Sequence, residues 1–297
     1  MPQGITTTWN DYARDASDIA DPMVRGMRES CVGLWVPTLG ATGNTLFDVS
    51  GFDHGTLTNM ATATAWVPSS MGTVLSLDGT NEYIDCGQGA SFEKPVTSDA
   101  VTLSMWANLP DISSSNRGAF GKHNSSSYGY ALWINGGNIR FVAGDGDAEV
   151  YGNVVQALAS HVAVDEWHCY SATYGHPYAK LYIDGVLVDS HTCASNTGIA
   201  SVAVWELPFK IGAEDYVDYC LQGYFGPAVV SDRAFTPAEI RRLHEDPHCL
   251  VRKTRFMLPV AVAGGAEDYV YPIFGGHVHR YGTIGAPVFG GHVSRRV

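Results

Sequence analysis

The residues of this chain whose types and spacing could do chemistry are a short acidic run, a few histidines and a group of aromatics. Asp145-Gly-Asp147-Ala-Glu149 sets three acids two apart, and that period puts all three on one face of an extended strand. Two carboxylates about 5 Å apart across a cleft would suit retaining glycoside hydrolysis. Oxygen donors in greater number would suit calcium, which takes roughly six to eight. The run follows Gly144 in a turn-like context, which favours a polar loop over a catalytic pair. Asp145, Asp147 and Glu149 stand as candidate calcium ligands, although an acidic protein needs no metal to explain an acidic loop. Asp78, Asn81 and Asp85 form a second such set, and neither set has the EF-hand spacing. His277 and His279 share one face of an extended segment, with His292 repeating the first. Structural zinc sites usually need four ligands, so hydrogen bonding in an interface is the preferred role. His168, beside Trp167, reads as a satisfied sheet residue rather than a general base. Tyr128, Tyr130, Trp133 and Tyr151 surround the central loops and are the candidates for stacking on a sugar face, with alternation sending about half of them into a core. No nucleophile elbow surrounds Ser171, and no glycine-rich phosphate loop precedes a helix.

These residues must be positioned mostly by strands. From Cys31 onward, short runs of Val, Ile, Leu, Tyr, Phe and Trp alternate with Gly, Asn, Asp and Ser clusters, the texture of an all-β sandwich or barrel. Strands are expected at 74–78, 82–86, 101–109, 129–134, 138–143, 167–174, 179–183, 186–190, 209–212 and 221–230. Asp184-Gly185, flanked by alternating β-prone runs, predicts a hairpin through a type I′ turn, and Gly136-Gly137 predicts another. Thr236-Pro237-Ala238-Glu239 combines an N-cap, a proline at N1 and a capping-box glutamate; Pro247 ends the short helix, which is expected on the end of the sandwich. Residues 1–30 are polar, with short helical turns expected at 10–19 and 21–28.

The chain has 297 residues, 45% hydrophobic and 16% charged, with 33 glycines and a net charge of −12. That balance excludes a coiled coil and a wholly disordered chain. The longest nearly apolar run, Met257 to Ala266, is too short for a membrane span. Met1-Pro2-Gln3-Gly4 shows neither a basic n-region nor an apolar h-region, so a soluble protein made in the cytosol is expected. The six cysteines lie far apart without a C-x-x-C pair, which suits buried thiols. Residues 250–297 hold six basic and two acidic residues, a net of +4, leaving −16 on residues 1–249. The acidic body argues against nucleic acid and anionic membranes as partners. The tail repeats Pro272-Ile-Phe-Gly-Gly-His-Val278 as Pro287-Val-Phe-Gly-Gly-His-Val293, too few copies for a solenoid and too poor in apolar residues to fold alone.

Four stretches together resemble the concanavalin A-like lectin/glucanase family, of the laminin-G or pentraxin type, over residues 31–246. They are Gly33-Leu-Trp35 with Asp48-Val-Ser-Gly51 and Gly55-Thr-Leu-Thr58; Val74-Leu-Ser-Leu-Asp78-Gly79 through Tyr83-Ile84; Trp167-His168 through Lys180-Leu-Tyr-Ile-Asp184-Gly185; and Lys210-Ile-Gly212 through Phe235-Thr-Pro-Ala-Glu239-Ile240. The resemblance implies an all-β jelly-roll β-sandwich of two antiparallel sheets; the capping box adds one short C-terminal helix, and the segments outside the resemblance are expected as extended terminal arms. It also implies possible calcium at the sandwich rim, with no cofactor required. Glucanases of this fold carry an E-x-D-x-E triplet that the chain lacks, so no enzymatic activity is expected. The closing strand reads Gly223-Tyr-Phe-Gly-Pro227 where the family often has an acid. The segment from Leu243 through Asp246-Pro247 to Lys253 resembles one found in such domains of bacteriophage structural proteins and of environmental bacteria.

The expectation is therefore three regions: an N-terminal extension (1–30), the sandwich (31–249) and a basic extended tail (250–297). The expected function is a non-enzymatic virion structural protein, a phage capsid decoration or a head or tail accessory, assembled in the host cytoplasm. Its partners would be capsid proteins and sister copies in a homo-oligomer, with a host-surface glycan bound by the sandwich. Phe274, His277, Phe289, His292, Arg295 and Arg296 are the expected assembly contacts of the tail. The alternative is a bacterial carbohydrate-binding module or adhesin located outside the cell; a glycoside hydrolase fits less well.

Overall fold

Period-two alternation runs through most of the chain, and the computed structural model shows two stacked sheets built from it. The structure describes residues 13, 15–112, 117–123, 128–135, 137–145, 154–193, 199, 207–213 and 219–252. The chain divides into one unit, Met1–Lys253, and a second, Thr254–Val297. The expected tail contacts Phe274, His277, Phe289, His292, Arg295 and Arg296 lie outside the described residues.

In chain order the elements are α1 (Pro22–Glu29), β1 (Cys31–Trp35), β2 (Thr45–Leu46), β3 (Gly55–Thr58), α2 (Thr62–Ala65), β4 (Trp66–Ser69), β5 (Gly72–Asp78), β6 (Tyr83–Asp85), α3 (Lys94–Ser98), β7 (Ala100–Asn108), β8 (Arg117–His123) and β9 (Tyr128–Asn135). They continue as β10 (Asn138–Asp145), β11 (Val154–Ala157), β12 (Trp167–Gly175), β13 (Tyr178–Ile183), β14 (Val186–Thr192), β15 (Lys210–Ile211), β16 (Gln222–Ser231) and α4 (Pro237–Glu245). The first sheet runs β14-β13-β12-β7-β16-β5-β4, and the second β11-β10-β9-β8-β15-β6-β3-β2. Neighbouring strands are antiparallel, the arrangement of a jelly-roll sandwich. Strand β16 pairs with β5 through Gln222–Phe225 and with β1 through Ala228–Ser231. The changeover falls at Pro227, which has no N–H to give a ladder, and the β16–β7 register shifts there.

Both expected hairpins form. Ile183 pairs with Val186 across Asp184 (φ 51°) and Gly185 (φ 75°), the left-handed pair that a type I′ turn requires. Asn135 pairs with Asn138, which sets the register of β9 against β10.

Between the sheets lies an aromatic core. Trp35 stacks on Phe209 at 5.4 Å and on Phe92 at 6.2 Å and meets Phe120 edge-on at 6.1 Å. Leu103, Leu132, Phe141, Tyr170, Leu181 and Phe225 fill the rest from the inward positions of both sheets. A second core forms on the outer face of the first sheet. There Ile240 and Leu243 of α4, Val24 and Met27 of α1, and Leu250 and Val251 meet Leu34, Tyr182 and Val229. Helix α4 therefore lies across a sheet face rather than on the end of the sandwich, because its apolar stripe matches the outward apolar residues of β1, β13 and β16. Ala13 and residues 15–29, expected as part of an extension, belong to this layer: Ala13 and Ile19 are buried in it, and the Ala13 N–H donates to the Val251 carbonyl at 2.7 Å.

Helix α4 begins with the expected capping box. Thr236 Oγ1 accepts from the Glu239 N–H at 3.4 Å, and Glu239 Oε2 accepts from the Thr236 N–H at 2.8 Å. The Glu239 carboxylate also takes a two-pronged bond from Arg233 at 2.6 and 2.9 Å. Burial alone would raise its pKa, but the Arg233 bonds prevail and hold it below the ordinary glutamate value. No helix among the described residues is long and apolar enough to cross a membrane.

Candidate functional site

Several motif residues with chemical potential are occupied in building the fold. The Asp48 carboxylate, 3% exposed, accepts from the backbone N–H groups of Leu34, Ser50, Phe52 and Asp53 at 2.8–3.1 Å and from Ser50 Oγ at 2.6 Å. It ties the loop after β2 to β1. His168 is held at both nitrogens: Nδ1 lies 2.7 Å from Asp184 Oδ2, and Nε2 accepts from the Ala163 N–H at 3.2 Å. Asp184 Oδ1 accepts from the Cys169 N–H at 2.8 Å, so this histidine fastens the β13–β14 turn to β12, in keeping with a sheet residue. Lys122, buried among inward positions, pairs with Glu93. All six cysteines are free, and burial pushes Cys31 and Cys249 up to about 12 and Cys169 up to about 11, which keeps them thiols at neutral pH.

The acidic sets do not gather. Asp78 Oδ1 accepts from the Thr80 and Asn81 N–H groups, and Asp85 Oδ1 accepts from the Gly87 N–H, so both carboxylates stabilise turns rather than meeting at a cation. Among the described residues no group of three His, Cys, Asp or Glu side chains could hold a metal ion. Asp147 and Glu149 lie outside the described residues; Asp145 ends β10 opposite Tyr128.

The aromatic candidates separate. Tyr130 is completely buried and its hydroxyl donates to the Phe92 carbonyl at 2.9 Å. This corrects the expectation of a sugar-stacking ring, because Tyr130 shares the inward register of Leu132 and Ile134, and no face of it reaches solvent. Tyr128 contributes backbone to β9, and Tyr151 lies outside the described residues. Trp133 falls on the opposite register and lies half-buried on the outer face of the second sheet.

Around Trp133 the outer face has a definite composition. Arg140 of β10 stands directly across from Trp133, with its guanidinium carbon 5.9 Å from the indole centroid. Gly121 of β8 and Ala131 of β9 pair with each other beside them and keep the surface low. Gly121 has to be glycine, since a Cβ there would lie 2.4 Å from the Tyr130 carbonyl oxygen. His123, next along the outward register of β8, meets the Trp133 ring at 5.9 Å across this floor. Trp133 Nε1 and His123 Nε2 are buried without a hydrogen-bond partner, a condition that costs about 1–3 kcal/mol per group. Burial, reinforced by the nearby Arg140 charge, lowers His123 to about 4, so the ring is neutral at physiological pH. The cluster thus offers an indole surface, a cation and two nitrogens with unused bonding capacity.

Of these residues only Trp133 stood out in the sequence. Arg140 was within reach of the same reasoning, because the Gly136-Gly137 hairpin that pairs 135 with 138 necessarily pairs 133 with 140. Four residues, 124–127, separate His123 from β9 and include no Asp-Gly or Gly-Gly pair to fix a register, so its place on this face had no sequence signal.

Comparisons with known proteins agree with this architecture. The family model for the concanavalin A-like lectin/glucanases superfamily matches residues 78–241, more than half of the chain. No curated protein matches the sequence. Among solved structures, domain 4 of AbnA, an extracellular GH43 arabinanase from Geobacillus stearothermophilus in complex with arabinotriose, is similar with a TM-score of 0.56 and 17% identity over 72% of this chain and 98% of that one. The binding domain of botulinum neurotoxin serotype D is similar with a TM-score of 0.55 and 15% identity over 73% of this chain and 52% of that one. That of neurotoxin DC, in complex with rat synaptotagmin II, has a TM-score of 0.52 and 13% identity, covering 73% and 52%. This chain spans about half the length of the neurotoxin domains.

Proposed function

The chain belongs to the concanavalin A-like lectin/glucanases superfamily, and from that premise we propose that it is a non-catalytic saccharide-binding protein whose site is the outer face of the second sheet. The observation that carries the reading is the half-buried indole of Trp133, set beside Arg140 and His123 over a floor of small residues. A partly open indole gives a flat apolar surface for a pyranose or furanose ring, and the polar groups at its margin give orientation. The arabinotriose held by the arabinanase domain supports a saccharide as the ligand class.

Within this reading the protein serves as a virion component, and the tail carries assembly. The support is the sequence of residues 254–297, which duplicates Phe-Gly-Gly-His-Val and carries charge opposite to the acidic body. Calcium at Asp145, Asp147 and Glu149 would be an accessory to the fold rather than a requirement. A binding module outside the cell is the second reading, favoured by the near-complete coverage of the arabinanase domain.

Two experiments test the proposal. Binding to an oligosaccharide panel that includes arabinotriose should be saturable and should weaken at least tenfold in Trp133→Ala; binding that is indifferent to Trp133 would move the site elsewhere. Truncation after Lys253, which keeps the buried Leu250 and Val251, should leave a folded domain and abolish self-association. A full-length protein that is already monomeric would remove the assembly role.

A further inference from the structure

We propose that the saccharide recognised on this face is acidic, bearing a carboxylate that Arg140 receives; the inference rests on the saccharide-binding reading above. The first ground is the state of Arg140. Several buried or half-buried cations of the described residues are engaged: Arg28 donates to the Val49 carbonyl, Lys122 pairs with Glu93, Arg233 with Glu239, and Arg242 with Asp246. Arg140 has no carboxylate or carbonyl partner among the described residues, although it is half-buried in a body of net charge −16. A guanidinium in that position presents a planar fork of N–H donors that fits a carboxylate with two parallel bonds.

The second ground is the bonding capacity beside it. The indole Nε1–H of Trp133 is a donor only, and it is buried and unpartnered, as is His123 Nε2. A carboxylate only accepts, so it complements the indole N–H, and it complements His123 Nε2 in the tautomer that carries the proton there. A neutral sugar hydroxyl, which brings a proton of its own, fits less completely.

Charge also limits the ligand. The acidic body opposes a dense polyanion, whereas surface charges more than about 8 Å away are largely screened at physiological ionic strength. Local attraction to Arg140 then decides for a sugar of low charge density, with one carboxylate within reach of the site, over a heavily sulfated polymer.

The test pairs acidic oligosaccharides with their own methyl esters, so that only the charge changes. Trigalacturonate and sialyllactose, each with its ester, and arabinotriose as the neutral reference are titrated calorimetrically against the full-length protein, Arg140→Gln and Trp133→Ala, with thermal melts confirming that each variant folds. The expected result is that at least one acid binds tenfold or more tightly than its ester, that Arg140→Gln brings this ratio near one, and that Trp133→Ala weakens acid and ester together. Equal affinity for acid and ester, or binding of arabinotriose alone, would overturn the acidic ligand and leave the saccharide site standing. Binding of no saccharide in the set would overturn both.

Discussion

The outer faces of the two sheets have opposite fates. That of the first sheet is apolar at Leu34, Tyr182 and Val229 and is roofed by α1, α4 and residues 249–251. That of the second carries Trp133, Arg140 and His123, and among the described residues no helix of α1 or α4 type joins them. The strand backbone is the same in both; the outward residues decide what each face packs against, and the second face, buried at Ala131 and Val142, is partly open at Trp133 and Arg140. Burying a leucine or isoleucine contributes about 1.5–3 kcal/mol, which rewards covering the first face. A half-buried indole with an unpartnered N–H gains from something that can also accept a hydrogen bond.

This contrast makes the effects of substitution separable. Ile240→Ala should remove about 2–5 kcal/mol of stability in denaturant unfolding, since it empties a site that is completely buried, while the folded fraction keeps its saccharide affinity. A matching loss of affinity would show that the two faces are not independent. Trp133→Ala should do the reverse, costing about 1.4 kcal/mol or more in binding free energy and only about 1 kcal/mol in stability.

Acid should divide the faces by pH. His123 has a folded pKa lowered to about 4 from 6.5, so the unfolded chain takes up the proton first, and stability falls as pH drops from about 6.5 toward about 4. Glu239 is lowered from 4.5, so its contribution is present above that value and is lost as pH falls further. In urea midpoints measured across pH, His123→Gln should flatten part of the upper window, to which His248, also lowered from 6.5 by burial, contributes the rest, and Glu239→Gln should flatten the lower one. If both variants alter the same window, the assignment of one group to each face is wrong. The smallest effect is expected from chelation: with EDTA the melting temperature should move by less than about 1 °C. A larger fall, reversed by calcium, would give Asp145, Asp147 and Glu149 the ligand role.

Much of the fold was legible because its devices are local. The Asp184-Gly185 turn, the Gly136-Gly137 hairpin and the Thr236–Glu239 capping box each lie within a few residues, and the first and last depend on backbone angles or bonds that few residue types provide. The position of α4 was not legible. Its stripe of Ile240 and Leu243 requires an apolar partner, and nothing local says whether that partner is a sheet end or a sheet face. Short strands such as β2 and β15 escaped notice or were only partly seen because two residues carry no periodicity. At the site, alternation distinguishes Tyr130 from Trp133 once the register is anchored by Leu132 and Ile134. The neighbourhood of Trp133 depends on β8, whose approach to β9 is set by pairing rather than by any motif.

The most direct test of the central claim is the indole N–H spectrum of the protein labelled with nitrogen-15. The chain has seven tryptophans, and the signal of Trp133 is identified by its loss in Trp133→Phe. On titration with a saccharide that binds, the account predicts a saturable shift of that one signal, while the signal of the core residue Trp35 stays in place. Saturable binding that leaves the Trp133 signal unmoved would contradict it.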